Sequence, residues 1–565
     1  MISLRPAASG DLDPLTEEAL ASLEAERIVG RIWERDHTVW SDSPDEISNR
    51  LGWLGTAQEI LDGIRPLQSL ASDIREARFE DVLLLGMGGS SLAPEVLAKT
   101  FGAGPGYPRL SVLDSTHPDA VGARRRELDL DRTLFVVATK SGGTVETLSL
   151  LKFFWGEVAA AAGDDRCGER FVAITDPGSA LADIAECHRF RATFLNNAEI
   201  GGRYSALSCF GMVPAALIGM NVPGLLRSAL TAAEDCRPTC PATENPGARL
   251  GAILGSFALR GRDKATFVVS EGIESFGDWV EQLIAESTGK AGRGVLPVVH
   301  ERLGPPELYG DDRVFFDIRL AGDESGLEEI EALEGAGHPV VALQVTDAYD
   351  LGGLFFLWEF ATAVAGHVLG INPFDQPDVE SAKVQTSAMV SAYEADGELP
   401  ALPPTFEDDG LRVVTDVGGD TLAAAFGAFL GEALAGDYVA VQAYVGPCSE
   451  ADAALAELRE VLRRATGLAT SVGYGPRFLH STGQLHKGDG GNGLFVQVVD
   501  AVDSDLPIPS GLGSERSVVT FGVLRDAQAL GDRRALLEAG RRVFRIEVGR
   551  DAPAEIRRVA AVLRQ

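Results

Sequence analysis

Two apolar runs end in turns that are rich in glycine and hydroxyls, and this pairing constrains the fold more than any other feature of the chain. Asp81-Val82-Leu83-Leu84-Leu85 leads into Gly86-Met87-Gly88-Gly89-Ser90-Ser91, and Leu134-Phe135-Val136-Val137 leads into Ala138-Thr139-Lys140-Ser141-Gly142-Gly143-Thr144. A short, continuous apolar run read this way is a parallel strand buried on both faces, handing over to a helix. Backbone N–H groups at such a junction point at an anion. Glycine lets the main chain approach it, the hydroxyls of Ser90, Thr139, Ser141 and Thr144 add neutral donors, and Lys140 adds a point charge. The two turns together describe a pocket for a phosphate monoester. A dinucleotide fingerprint would need glycine where Ser91 stands, and a phosphate loop of the nucleotide triphosphatases would need Gly-Lys-Ser/Thr.

Apolar runs at 81–85, 110–113, 134–138, 170–175 and 190–195 alternate with helix-like stretches, the pattern of a doubly wound parallel sheet. Ligands bind such sheets at the carboxyl ends of strands. The chain divides into a charged helical segment (1–55), a first α/β domain (56–235), a second (241–395) and a third α/β block (411–565). Cys236-Arg237-Pro238-Thr239-Cys240-Pro241 reads as one connector, and Leu399-Pro400-Ala401-Leu402-Pro403-Pro404 with Glu407-Asp408-Asp409-Gly410 as the other. No motif repeats internally.

At 565 residues the chain has room for several cores. Its formal net charge of −33 argues against nucleic acid as a partner, since phosphate backbones need clustered positive charge. Six cysteines without a CxxC pair suit a reducing cytoplasm, and Cys236 with Cys240 make a poor metal site. The N-terminus lacks a signal-like apolar core, and the uncharged stretch from Tyr204 to Leu226 is interrupted by prolines, so neither export nor a membrane is expected. Only seven of the 50 basic residues are lysines, and four of them (Lys140, Lys290, Lys383, Lys487) fall inside motifs. Lysine can be tuned by burial or give up a proton, which arginine cannot.

Chemistry is suggested at two further places. Gly201-Gly202-Arg203-Tyr204-Ser205 holds an arginine on a glycine-flexed turn, where a guanidinium can face a developing oxyanion. Asp278 to Lys290 reads as a helix ending at Gly289, with Gln282 and Glu286 four apart on one face. A carboxylate at the end of a mostly apolar helix suits a proton shuttle. There is no HExxH and no ligand-spaced cluster of histidines and carboxylates, so no metal or other cofactor is called for.

In sequence order, GMGGSS, ATKSGGTVET, GGRYS, QLIAESTGK and INPFDQPDVESAK (Ile371 to Lys383) resemble the successive signatures of the glucose-6-phosphate isomerase family, built of sugar isomerase domains. The resemblance covers roughly residues 80 to 390. Over most of its length the chain also resembles the isomerase half of bacterial transaldolase and glucose-6-phosphate isomerase fusion proteins. It implies two doubly wound sugar isomerase domains and reversible aldose–ketose isomerisation of glucose 6-phosphate and fructose 6-phosphate, through a cis-enediolate, in glycolysis and gluconeogenesis. It implies a cytoplasmic homodimer acting on a small sugar phosphate. By residue, it implies that Ser90, Thr139, Ser141 and Thr144 hold the phosphate beside Lys140, while Gly89, Gln282 and Gln376 line the sugar. Arg203 would face the enediolate, Glu286 move the proton, and Lys383 assist at the ring oxygen.

One signature is displaced. The family's ring-opening histidine is expected some thirty residues after the glutamate, but Glu307 to Arg313 contains none, and His300 is too early. The string Phe478-Leu479-His480-Ser481-Thr482-Gly483-Gln484-Leu485-His486-Lys487-Gly488 in the third block resembles the missing one, so His480 is expected at the ring oxygen, reaching in from its own or a neighbouring subunit. His37, His117, His188, His300, His338 and His367 are read as structural. The space ahead of the first sheet cannot hold a transaldolase barrel. Two alternatives stay open on the sequence: an isomerase of broader substrate range, and a sugar-phosphate sensor, which would not need Glu286, Arg203 or Lys383.

Overall fold

The computed structural model describes residues 3–5, 14–502 and 504–564. The first sheet has five parallel strands in the order Arg109–Leu113, Asp81–Gly86, Thr133–Ala138, Phe171–Thr175, Ala192–Leu195. Asp81–Gly86 and Thr133–Ala138 are adjacent and are buried along almost their whole length, which is why both read as unbroken apolar runs rather than alternating ones. The connection from Asp81–Gly86 passes to one side and that from Thr133–Ala138 to the other. Their carboxyl ends therefore open a crevice at the point where the winding reverses. Both glycine turns lie there.

The second sheet is built from Lys264–Val269, Leu296–Val298, Arg313–Leu320 and Val340–Val345, again parallel, with Lys264–Val269 between Leu296–Val298 and Arg313–Leu320. A further strand differs from the sequence expectation. Ser3–Arg5, in the segment read as helical, pairs antiparallel with Val340–Val345, Ser3 opposite Gln344. Helices Pro14–Ala25, Ile28–Trp33 and Trp53–Asp62 follow.

Helices Pro246–Ala258 and Leu351–Leu369 are packed tightly together beneath the second sheet. Gly247, Gly251 and Gly255 recur every fourth residue on the contact face. A Cβ at Gly251 would lie 2.5 Å from the Ala361 carbonyl oxygen, so only hydrogen there allows the approach. The stretch Ala348–Leu369 is long and apolar enough to cross a membrane, yet it is mostly buried inside the fold.

The third block has a six-stranded sheet: Phe406–Asp408, Leu411–Val414, Arg542–Val548, Gly493–Asp500, Tyr438–Tyr444, Ala469–Tyr474. Residues 407–410, read as linker, instead complete a hairpin on its edge. Its four parallel strands follow the same winding order as the first four strands of the first sheet and the four parallel strands of the second, with no shared motif to announce it. In this third sheet the crevice at the winding reversal is filled. Asp500 there accepts from Arg525 (2.5 Å) and Gly446 N (2.8 Å) and pairs with His117 Nε2 (2.9 Å), which comes from the first domain. The ion cluster seals that crevice and docks the block.

The helix Val379–Asp396, which carries Lys383, was expected in the second domain, but it packs on the long third-block helix Phe521–Glu538. A Cβ at Gly531 would meet Thr386 N at 2.8 Å.

Candidate active site

The first turn folds as a short 3-10 segment, Gly88–Ser90, ahead of the helix Leu92–Phe101. Gly88 takes φ +52, and a Cβ there would lie 2.7 Å from the His480 carbonyl oxygen and 2.8 Å from Gln282 Nε2. Gly89 lies against the next turn, where a Cβ would meet the Gly202 carbonyl oxygen at 2.0 Å. Ser205 Oγ donates to the Gly89 carbonyl at 3.1 Å. The phosphate-type turn, the arginine turn, the glutamate helix and the third block thus converge on two glycines.

In the second turn, Thr139 and Thr144 share a hydroxyl contact of 2.8 Å, and Thr144 precedes the helix Val145–Ala162. Ser141 accepts from Gly143 N at 3.3 Å. Lys140 is held by the Asp176 carboxylate and by the Ala198 carbonyl at 2.9 Å. Ser90 is buried.

Arg203 sits on the 3-10 turn Gly202–Tyr204 and is 3% exposed. Its Nε donates to Ser287 Oγ (2.8 Å), its Nη1 to Gln376 Oε1 (2.9 Å), and its Nη2 to the carbonyls of Pro373 (2.7 Å) and Asp375 (2.8 Å). Nη1 also lies 3.2 Å from Glu286 Oε1. This fork is one that lysine could not reproduce. Lys290 supports the same loop by donating to the Asp375 carbonyl (2.5 Å) and carboxylate (2.7 Å). Burial, and then the charge of Arg203, pull the Lys290 ammonium down to about 8.

The helix Phe276–Thr288 ends against Gly289, as its sequence predicts. Gln282 Nε2 donates to Glu286 Oε2 at 3.1 Å and to the main-chain carbonyl of His480 at 2.8 Å. His480 belongs to the turn Arg477–His480 of the same chain. Its Nε2 is 3.0 Å from Glu146 Oε1, and that oxygen also accepts from Gln528 Nε2 (2.6 Å), whose own carbonyl accepts from Thr116 (2.7 Å). Burial opposes charge on both members of the pair, but each outweighs it for the other: Glu146 is held below the usual carboxylate range and His480 above the usual imidazole range.

Lys383 is the one predicted catalytic residue that does not join this network by direct contact. Its ammonium pairs with Glu380 at 2.7 Å and its side chain is 54% exposed, although its charge is felt by both Glu146 and His480. Sequence reasoning missed Glu146 even though it lies inside the ATKSGGTVET string. Only the fold brings a histidine 334 residues away onto it. Gln528 carried no local signal. His300, set aside as structural, pairs with Asp278 (2.8 Å) and Glu274 (3.2 Å) at the far end of the helix that carries Glu286. Among the described residues no group of three histidine, cysteine or carboxylate side chains is placed to hold a metal ion.

A solved structure of a hypothetical protein from Thermus thermophilus aligns with a TM-score of 0.58 at 27% identity, covering 68% of this chain and 99% of that one. A glucose-6-phosphate isomerase from Chlamydia trachomatis aligns with a TM-score of 0.56 at 20% identity, over 71% and 89%, and shows the shared fold. Two largely parallel, doubly wound α/β sheets place the chain in the sugar-isomerase fold class. The phosphoglucose isomerase family model matches residues 34–296. A probable glucose-6-phosphate isomerase of Haloarcula marismortui is 30% identical over 60% of this chain and 83% of its own length, and one of Natronomonas pharaonis is 32% identical over 54% and 77%. The chain belongs to the phosphoglucose isomerase family.

Proposed function

We propose that the chain interconverts glucose 6-phosphate and fructose 6-phosphate, with Glu286 moving the proton between C2 and C1. The observation that carries the residue assignment is the placement of the Glu286 carboxylate between Arg203 Nη1 and Gln282 Nε2, within one hydrogen-bond chain of His480. The phosphate sits on the hydroxyl turns of Ser90, Thr139, Ser141 and Thr144, with Lys140 at the rim. That contact fixes the sugar's register, so that remote binding energy orients the reacting carbons. His480 gives a proton to the ring oxygen as the bond from C1 to that oxygen breaks and the C1 hydroxyl releases its proton to water to become the carbonyl. When the product ring closes at C2, His480 takes the proton back and the new C2 hydroxyl gains one. Glu146 favours the charged imidazolium needed for the first event.

Glu286 then removes the C2 proton and returns it to C1, while the hydroxyl proton passes from O2 to O1 so that C2 is left as the carbonyl. The negative charge that grows on the enediolate oxygens faces the Arg203 guanidinium, which is already fixed by four acceptors and need not reorganise. Lys383 contributes charge near the ring-opening pair. Gln376 orients Arg203 from the far side. The pathway is glycolysis run in either direction, in the cytoplasm. The protein assembles as a homodimer, and because Glu286 and His480 of one site come from one chain, activity is expected to persist on dilution below any dimer dissociation point.

The test is conversion of fructose 6-phosphate to glucose 6-phosphate, with chelator present, by the unaltered protein and by Glu286→Gln. Loss of a shuttle of this kind costs about 10²- to 10⁴-fold in rate. An inactive unaltered protein that still binds the sugar phosphate would overturn the isomerase reading in favour of a sensor.

A further inference from the structure

The turn bearing His480 is fastened by a residue that plays no part in the chemistry above. Arg477, three positions before His480, pairs with the Glu95 carboxylate, lies 3.1 Å from Asp114 Oδ2, and lies 4.0 Å from Asp278 Oδ2. Each partner belongs to a different part of the site's frame. Glu95 is on the helix Leu92–Phe101 that follows the first anion turn. Asp114 lies just beyond the strand Arg109–Leu113 and accepts from Ser91 Oγ of that same turn at 3.3 Å. Asp278 is two turns before Glu286 on the helix Phe276–Thr288. These carboxylates keep the guanidinium charged, and its side chain is only 24% exposed.

Arg477 does not face the substrate. Its outer side opens into a separate cavity of about 1280 Å³, lined also by Asp278, Glu281, Arg459 and Tyr474 but not by Ser90, Arg203, Glu286 or His480. Lys99 also pairs with Glu95 (3.1 Å) and Asp278 (3.6 Å), and His300 with Asp278 (2.8 Å), but Arg477 is the cation that reaches Asp114 as well and ties all three carboxylates to the His480 turn. A planar fork can bind several carboxylates at once, in a geometry that an ammonium cannot match.

We propose that Arg477 is a positioning residue for His480: by gathering Glu95, Asp114 and Asp278 it registers the third block's turn against the phosphate turn and the Glu286 helix. The inference rests on the reading of His480 as the ring-oxygen acid and adds a specific anchor to it. Displacing a catalytic group by about an ångström costs on the order of 100-fold. The phosphate contacts do not pass through Arg477, so binding should be largely spared.

The test is steady-state kinetics on the full chain with fructose 6-phosphate, for Arg477→Met, Arg477→Lys, His480→Gln and the Arg477→Met/His480→Gln double variant, with urea midpoints measured alongside. Arg477→Met should lower kcat on the order of 10- to 100-fold with KM nearly unchanged, and Arg477→Lys should recover part of the loss. The double variant should be no slower than His480→Gln alone, because the anchor acts only through the histidine. Arg463→Met, which removes a neighbouring third-block arginine bonded to the Arg302 carbonyl (2.8 Å), should lower the urea midpoint and leave kcat alone. Should Arg477→Met fail to fold, Glu95→Gln reports the same kcat effect. An unchanged kcat in Arg477→Met or Glu95→Gln, or a fall that multiplies that of His480→Gln, overturns the inference. Unchanged activity in His480→Gln instead overturns the underlying assignment of the histidine.

Discussion

Gln282 holds Glu286 and His480 at the same time: its side-chain nitrogen is 3.1 Å from the Glu286 carboxylate and 2.8 Å from the His480 carbonyl. A primary amide carries two N–H donors, so both bonds can form together. Glu286 and His480, the proposed proton carrier and ring-opening acid, are therefore both set by one side chain from the middle of a buried helix.

Gln282→Leu removes both bonds while keeping most of the volume. A rate loss on the order of 10- to 100-fold is expected from misplacement of the two groups. The fall should appear in kcat more than in KM for fructose 6-phosphate. Equal kcat values for the two proteins would count against the bridge.

Glu146→Gln tests the histidine's protonation. Burial favours the neutral imidazole, and the Glu146 carboxylate overrides it, raising the His480 pKa. If protonated His480 opens the ring, activity falls as pH rises through that raised value. Without the carboxylate the fall should begin at lower pH, displacing the alkaline limb of kcat/KM toward acid. A limb that stays in place would assign it to another group.

Gly88→Ala should damage both fold and site. The left-handed φ of +52 costs an alanine about 1–2 kcal/mol. The new methyl would also press on the His480 carbonyl, a main-chain atom that cannot swing aside. Lower urea midpoint and lost activity are expected together. Gly143, whose nearest neighbour to a new Cβ is Ser141 Oγ at 3.9 Å, provides the tolerant comparison for stability.

His300 makes stability depend on alkaline pH. Burial opposes its charge, but its hydrogen bonds to Asp278 and Glu274 prevail and raise it from 6.5 to about 10. A raised folded value means the contribution is fully present below about pH 6.5 and is lost progressively as pH rises to about 10. The side chain is 37% exposed, so after allowance for solvent screening the effect is on the order of 1 kcal/mol. The urea midpoint should drop between pH 7 and pH 9.5, and His300→Gln should flatten that drop. An equally steep drop in the variant would place the dependence elsewhere.

Much of the first domain was legible in the chain itself. The strands Asp81–Gly86 and Thr133–Ala138 are buried on both faces, so their composition alone marks them, and glycine with hydroxyls marks the turns that end them. Helix periodicity put Gln282 and Glu286 together, and they are hydrogen-bonded. The short strand Ser3–Arg5 escaped, because three residues give no measurable period and the pairing is supplied by Val340–Val345. The hairpin at 407–410 escaped because an acidic Asp-Asp-Gly turn reads equally as linker.

What the sequence by itself determined was the local grammar: which segments are buried strands, where an anion-ready turn ends them, and which residue types stand ready for proton transfer. Those depend on neighbours within a few positions. What only the tertiary structure decided was who meets whom. His480 meets Glu146 and the Gln282 amide, Arg477 collects carboxylates from three elements, Lys383 stays at the rim with Glu380, and the third block repeats the winding of the first two while its own crevice is closed by Asp500 and Arg525. These pairings join residues hundreds of positions apart, where no periodicity operates. They form because burying the shared apolar faces brings the blocks together, and buried charges then require partners.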